Sequence, residues 1–181
     1  ILKQAYLHMQ RFLAAKWPKR TDNLPYKRPY DTLIVASLVE KETALDKERP
    51  IIAGVIIRRL KIGMRLQVDP TVLYGLNKPY GSTITRKDLR TKTPYNTYII
   101  KGLPPTPIDI PSAASILAAL HPAKGNTLYY VAREDGSHKF SRTYREHLVA
   151  VKKYRKALKK KLKPWIVIQW VWEGLHILHL I

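Results

Sequence analysis

The sequence predicts an α+β fold that is mostly helical, with a small antiparallel β element and a long loop-rich segment. Apolar residues recur at helical spacing over residues 2–13 and 33–60, whereas Gly, Pro, Asn and Thr dominate residues 64–111. A short strand pattern, "TLYYVAR", is followed by the turn "EDGSH" and the run "KFS", which predicts a β-hairpin. With 181 residues and 45% apolar composition, the chain can form one well-packed domain.

The first element is a helix over residues 1–17, whose apolar positions are three or four residues apart and stop at Trp17 and Pro18. A polar connector containing proline follows it. We therefore separate residues 1–24, an N-terminal helix and connector, from the domain that follows.

Two further helices are expected to form a helical hairpin. The first extends from Asp31, a plausible N-cap, to about Ala44. Asp46 is the expected cap of the second, whose apolar stripe ends near Gly63.

The rest of the chain alternates loops with short elements. Residues 64–111 allow only short elements, such as a turn of helix in "DPTVLYGL", and a loop segment of this length predicts a substrate groove. Ser112 caps a short helix, the hairpin follows it, and residues 142–163 form a long amphipathic helix. Residues 25–163 are therefore the predicted main domain, and residues 164–181 form an apolar, Trp-rich tail of unknown role.

The charge balance predicts a polyanionic partner. The chain has 33 Lys and Arg against 13 Asp and Glu, a formal net charge of +20, which suits nucleic acid, an anionic membrane surface or an acidic wall polymer. A solvated basic helix face explains much of the excess equally well. No cysteine is present, and the six histidines lack metal-ligand spacing, so neither a metal nor a cofactor is expected.

Glu40 directly follows an apolar run, residues 33–39. On a helix it shares a stripe with Ser37 and Ala44, which predicts partial burial, a raised pKa and a proton available for general acid catalysis. Glu42 lies about 200° around the helix from it, so the two cannot act as a dyad on one face. The alternative for Glu40 is an ion pair with one of the nearby Arg or Lys side chains.

Four blocks favour the first of these alternatives: "ASLVEKET", "IRRLKIGMRLQVDPTVLYGL", "TPYNTYIIKGLPPTPI" and "HPAKGNTLYYVAREDGSHKFS". In this order they resemble the endolytic murein transglycosylase family, also called YceG-like, over about residues 25–160. The resemblance implies an enzyme that cleaves peptidoglycan glycan strands at the MurNAc–GlcNAc bond without water and leaves 1,6-anhydro-MurNAc ends. It also implies that Glu40 is the general acid and then the base.

The residues expected to bind substrate lie in the same blocks and carry the hydroxyl, amide, carboxylate and aromatic groups that sugars engage. They are Glu42, Thr43, Gln67, Asp69, Tyr95, Asn96 and Thr97. Asp69 has an alternative role as a helix N-cap, since a proline follows it. The chain departs from the family's common pattern at Thr106 and Ser112, which stand where glycine is usual.

The resemblance also predicts a location and partners. We expect the bacterial cell envelope, on the outer face of the cytoplasmic membrane, with an anchor in an upstream segment. Wall-synthesis enzymes and an anionic membrane surface are further candidate partners. Nucleic acid is disfavoured, because no nucleic-acid motif is present and the aromatic residues are not interleaved with the basic run. The alternative function is a non-catalytic basic module that binds glycan or nucleic acid.

Overall fold

The computed structural model describes residues 2–161, with side chains over residues 3–158. It confirms the α+β class, since a two-stranded antiparallel sheet accompanies a mainly helical chain. Two 3-10 turns, Trp17–Lys19 and Asp46–Glu48, lie between helices. The helices are α1 (Leu2–Lys16), α2 (Pro29–Glu42), α3 (Arg49–Lys61), α4 (Asp69–Gly75), α5 (Arg86–Arg90), α6 (Ala113–Leu120) and α7 (Tyr144–Lys161), and the strands are β1 (Tyr129–Ala132) and β2 (His138–Ser141).

The core lies where α2, α3 and α6 meet. Leu38 of α2, Ile52 and Ile56 of α3, and Ile116 and Leu120 of α6 are almost completely buried in one apolar cluster. Each such side chain contributes roughly 1.5–3 kcal/mol when it is removed from water. Leu13 brings the end of α1 into the same cluster. The predicted helical hairpin is thus covered by a third helix, which fixes the end of α2.

Both predicted N-caps of the helical hairpin were placed wrongly. Helix α2 begins at Pro29, because proline suits the first helical turn, and Asp31 lies in that turn. Its carboxylate accepts the backbone N–H of Arg28 and also pairs with the Arg28 guanidinium at 2.7 Å. Asp46 begins a 3-10 turn, and Glu48 is the residue that precedes α3.

Buried polar groups hold the loop-rich segment together. The Asn96 amide donates to the carbonyl oxygens of Asp88, Leu89 and Thr91 at 2.8–3.3 Å. The Thr97 hydroxyl accepts the backbone N–H of Val68 at 2.9 Å. These hydrogen bonds make the segment an ordered part of the domain, and the bond to Val68 fixes the position where α4 begins.

The β-hairpin has two different faces. Val131 pairs with Lys139, and Ala132 pairs with His138. Because side chains alternate along a strand, Tyr130 and His138 share one face while Val131 and Lys139 share the other. Helix α7 packs on the second face, where Val131 joins Ala150 and Val151 in a small apolar cluster.

No helix among residues 2–161 is long and apolar enough to cross a bilayer. The predicted tail, residues 164–181, lies outside the described residues, and the domain boundaries at residues 24 and 163 stay predictions.

Candidate active site

A cleft of about 280 Å³ opens between the end of α2, the start of α4 and the β-hairpin. Glu42 and Asp69 reach it from the two helices, and Tyr130 and His138 reach it from the hairpin. The remaining wall consists of Lys41, Pro70, Leu73, Tyr80, Gly81, Ser82, Ile84, Val131 and Ala132. Two carboxylates, a phenol and an imidazole therefore line one cleft.

Glu42 is the partly buried last residue of α2. Burial, together with the negative charge of Asp69, raises the pKa of Glu42 to about 8. A hydrogen bond from the Tyr130 hydroxyl and the positive charge of Arg59 oppose this rise without cancelling it. Glu42 therefore carries a proton at neutral pH, as a general acid must.

Asp69 is the first residue of α4, and the N-cap position belongs to Val68. The N-cap role considered for Asp69 is therefore wrong. Its carboxylate instead accepts a hydrogen bond from the Tyr98 hydroxyl. Burial and the charge of Asp69 raise the pKa of Tyr98 well above its ordinary value, so this phenol keeps its proton and holds Asp69 in place.

Tyr130 supports Glu42 from the hairpin. It is 7% exposed, and burial together with the Glu42 charge keeps its pKa well above the ordinary value, so it stays a hydrogen-bond donor. His138 meets the Tyr130 ring edge-on, with 5.5 Å between ring centroids. The strand alternation places these two residues on one face, but the sequence alone gave no signal that this face lines a cleft.

The Glu48 carboxylate fixes the position of His138 through two contacts. Its carboxylate accepts the His138 backbone N–H at 2.9 Å and lies 2.7 Å from His138 Nδ1. Burial would raise the pKa of Glu48, but the hydrogen bonds from His138 outweigh burial and lower it. Thr43 donates to the same carboxylate at 3.3 Å. Thr43 is thus a buried support of the cleft wall.

The prediction of a raised pKa for Glu40 is wrong. Its side chain is partly buried, at 22% exposure, and burial alone would raise the pKa. Hydrogen bonds from Ser112 and Ser115 and the charge of Arg49 outweigh burial and lower the pKa to about 2. Glu40 Oε2 lies 2.6 Å from Ser112 Oγ and 2.9 Å from Arg49 Nη1. The alternative interpretation of Glu40, an ion pair, matches these contacts.

The other predicted substrate-binding residues fall into two groups. Asn96 and Thr97 are at most 1% exposed, and their hydrogen bonds serve the protein itself. Gln67 is partly buried with a positive φ of 51°, and its backbone N–H donates to the Thr97 carbonyl. Tyr95 is partly buried, and its hydroxyl lies 2.9 Å from that of Thr106. None of these four residues lines the Glu42 cleft.

The arrangement can perform acid and base chemistry at one carbon–oxygen bond. Glu42 can donate a proton, the Tyr130 hydroxyl hydrogen-bonds to it, and the Asp69 carboxylate lies close enough to raise its pKa. Among the described residues, no cluster of three or more metal-ligating side chains occurs. The cleft itself offers a protonated carboxylic acid, Glu42, beside the carboxyl group of Asp69.

Comparisons with known proteins agree with the resemblance in the sequence. Residues 1–153 match the model of the YceG-like family. The protein named endolytic murein transglycosylase from Bacillus subtilis is 44% identical over 122 residues, which is 67% of this chain and 34% of that protein. The protein of the same name from Streptococcus pneumoniae is 39% identical over 106 residues, 56% of this chain and 19% of that protein.

A solved structure has the same fold. The crystal structure of a YceG-like protein from Listeria monocytogenes superposes with a TM-score of 0.68 at 37% sequence identity. The superposition covers 81% of this chain and 45% of that one. The chain therefore spans about a third or less of the curated relatives, and about half of the solved structure, that it matches.

Proposed function

Since the chain belongs to the YceG-like family, we propose that it carries the catalytic centre of an endolytic lytic transglycosylase acting on peptidoglycan, with Glu42 as general acid and then base. The observation that supports this most is the protonated Glu42 carboxyl in a cleft, hydrogen-bonded by Tyr130. Both curated relatives are named endolytic murein transglycosylase. The cleft supplies the acid that such a reaction requires.

The proposed reaction has two proton transfers. Glu42 donates its proton to the oxygen that links C1 of MurNAc to GlcNAc, and the C1–O bond breaks with the electron pair leaving on that oxygen. The C6 hydroxyl of the same MurNAc then bonds to C1, and its proton passes to the Glu42 carboxylate. The product is a 1,6-anhydro-MurNAc end, and Glu42 is restored to its acid form.

Asp69 has two proposed effects on this reaction. Its negative charge keeps the proton on Glu42 before the reaction. As positive charge develops at C1, the same carboxylate can stabilise the transition state, because the cleft is partly shielded from water. The hydrogen bond from Tyr98 fixes the position of the carboxylate for this purpose.

Glu40 was assigned the acid role from the resemblance, and that assignment stays a prediction. The contacts favour a different role for it. Glu40 is held by α6 and by Arg49, and its low pKa leaves no proton to donate near neutral pH. We propose that Glu40 fixes the end of α2 and so sets the position of Glu42.

A hydrolase is the second candidate, and the proximity of Asp69 to Glu42 favours it. A carboxylate beside a protonated acid could activate water or attack C1 itself. The products separate the two functions, because hydrolysis leaves hydrated reducing ends whereas transglycosylation leaves anhydro ends.

The experiment digests purified peptidoglycan with the wild type, Glu42→Gln and Glu40→Gln, and resolves the products by mass spectrometry. We expect anhydro ends with the wild type, a loss of at least about 10³-fold with Glu42→Gln, and retained turnover per folded molecule with Glu40→Gln. Loss of turnover in a folded Glu40→Gln, with activity kept in Glu42→Gln, would return the acid role to Glu40. Hydrated ends would identify a hydrolase.

The cell envelope is the proposed location, on the outer face of the cytoplasmic membrane with an upstream anchor. Peptidoglycan glycan strands are the proposed substrate, and wall-synthesis enzymes and the anionic membrane surface stay candidate partners. The names of the curated relatives support the substrate and the envelope location. A non-catalytic glycan- or nucleic-acid-binding module is the alternative that the digestion also tests, because such a module would bind without producing new ends.

A further inference from the structure

A second depression, the hairpin–α7 groove, lies on the opposite side of the β-hairpin from the cleft. It has a volume of about 790 Å³ and runs between the Val131–Lys139 side of the hairpin and helix α7. Apolar side chains of both elements line it, and Val149, one of them, is 58% exposed. A concave surface with exposed apolar lining suits a ligand that has both apolar and polar groups.

The rim of the hairpin–α7 groove is mainly basic. Arg133 and Lys139 lie on the hairpin side, and Arg145 and Lys153 lie on α7. None of the ion pairs among residues 3–158 involves Lys139, Arg145 or Lys153.

Two acids share this rim, Glu134 and Glu146. The Glu146 carboxylate already accepts the backbone N–H of Arg142 at 2.9 Å. Four positive and two negative side chains leave the rim with an excess of two positive charges. The groove therefore complements a ligand with carboxylate groups.

The groove and the candidate active-site cleft share part of their wall. Val131 and Ala132 of β1 line both depressions. Since a strand is only about 5 Å wide in the direction of its sheet, a short branch on a molecule bound in the cleft can pass β1 and enter the groove. The ligand of the groove is therefore expected to be covalently part of the molecule that Glu42 cleaves.

We propose that the hairpin–α7 groove binds the acidic stem peptide of the glycan substrate, a proposal that rests on the proposed function. The stem is attached to the lactyl group of MurNAc, the sugar whose C1 would lie beside Glu42, and it combines alkyl side chains with free carboxylates. The groove offers matching apolar lining and a basic rim. An anionic lipid surface would instead suit the outer side of α7, where Lys152 and Lys156 are exposed outside the groove.

The first test compares glycan strands that carry stem peptides with the same strands after an amidase has removed them. The groove variant is Arg145→Glu with Lys153→Glu. Its matched control is Lys152→Glu with Lys156→Glu, which makes the same charge change on the same helix outside the groove. We expect the groove variant to lower kcat/KM on peptide-bearing strands by about 3- to 10-fold, mainly through KM, because rim charges contribute modestly to binding.

On stripped strands the groove variant and the wild type should match, and the control should match the wild type on both substrates. The proposal is overturned if the wild type cleaves both substrates equally well, if the groove variant loses activity equally on both, or if the control variant loses as much.

A second measurement is independent of catalysis. The isolated stem peptide is titrated into the full chain by calorimetry, with a peptide whose carboxylates are amidated as the reference. Binding should persist in Glu42→Gln, weaken in the groove variant and weaken on amidation. A wild type that binds the peptide but cleaves neither strand would remove the proposed function and keep the groove site. A wild type that does not bind the peptide would remove the groove site itself. So would a groove variant that binds the peptide as the wild type does and loses binding only to anionic lipid vesicles.

Discussion

Glu40 and Glu42 lie two residues apart at the end of one helix, yet the pKa of Glu40 is about 2 and that of Glu42 is about 8. Helix geometry turns their side chains about 200° apart, so that they meet different surroundings. Glu40 faces the N-terminus of α6 and a guanidinium, both of which favour the charged form. Glu42 faces a buried site beside Asp69, which favours the neutral form. One helix thus carries a carboxyl group with a lowered pKa and, two residues on, a carboxyl group with a raised pKa.

Asp69→Asn should shift the alkaline limit of activity to lower pH. The Asp69 charge helps to keep the proton on Glu42, so its removal lowers the pKa of Glu42 from about 8. Only the protonated acid starts the reaction. The pH above which kcat/KM declines should therefore be lower in Asp69→Asn than in the wild type. The measurement is a pH–rate profile on peptidoglycan strands. Asp135→Asn, at an exposed hairpin turn, is the control and should leave the limit unchanged. An unshifted or higher limit in Asp69→Asn would contradict the assignment.

Tyr130→Phe should move the same limit in the opposite direction. The Tyr130 hydrogen bond lowers the pKa of Glu42, so its loss lets burial and Asp69 raise that pKa further. We also expect kcat to fall about tenfold, since the acid loses the donor that orients it. Phe140→Tyr adds a hydroxyl to the cross-strand partner of Tyr130, on the same face of the hairpin, and is the comparison for general disturbance of the sheet. A fall in rate without a rise of the alkaline limit would mean that Tyr130 acts only through packing.

Glu40→Gln should destabilise the fold while the proposed catalysis continues. Arg49, at 8% exposure, loses the charge of one of its two carboxylate partners, which should cost about 1–3 kcal/mol in the free energy of unfolding at pH 7. Glu40 has a lowered pKa in the folded state, so its contribution is complete above the unfolded value of about 4.3 and is lost as pH falls through about 2.

Urea unfolding of wild type and Glu40→Gln across pH 2–7 measures this contribution. The two curves should converge toward the acid end. Asp22→Asn, at an exposed position, should follow the wild type throughout. A difference that stays constant with pH would show that the charge of Glu40 is not what stabilises the fold.

Asn96→Ala should destabilise the loop-rich segment by about 2–3 kcal/mol, because three carbonyl oxygens lose their donor in a buried site. Chemical denaturation at neutral pH measures the change. Asn126→Ala removes the same amide from an exposed position and should cost less than about 0.5 kcal/mol. If activity of Asn96→Ala fell with no loss of stability, the predicted contact of Asn96 with substrate would be supported instead.

The local sequence determined most of the secondary structure. The helical spacing of α1, α2, α3 and α7, the Ser112 cap of α6 and the strand–turn–strand pattern of the hairpin all depend on neighbours within a few residues. For that reason they could be read from the printed chain. The family could also be predicted, because its blocks are short and local. The N-caps predicted at Asp31 and Asp46 are wrong because a proline and a 3-10 turn moved the starts of the two helices.

Only the tertiary structure decided which of the two glutamates has a raised pKa. The sequence placed Glu40 and Glu42 on different faces of a helix, but it could not show what covers each face. Arg49 and Ser112 come to Glu40 from α3 and α6, whereas Asp69 and Tyr130 come to Glu42 from α4 and β1. A pKa depends on charges and hydrogen-bond donors within a few ångströms in space, and here those groups are between 9 and 88 residues away along the chain. The packing of these elements, and not the local pattern around "EKET", therefore sets the chemistry of the site.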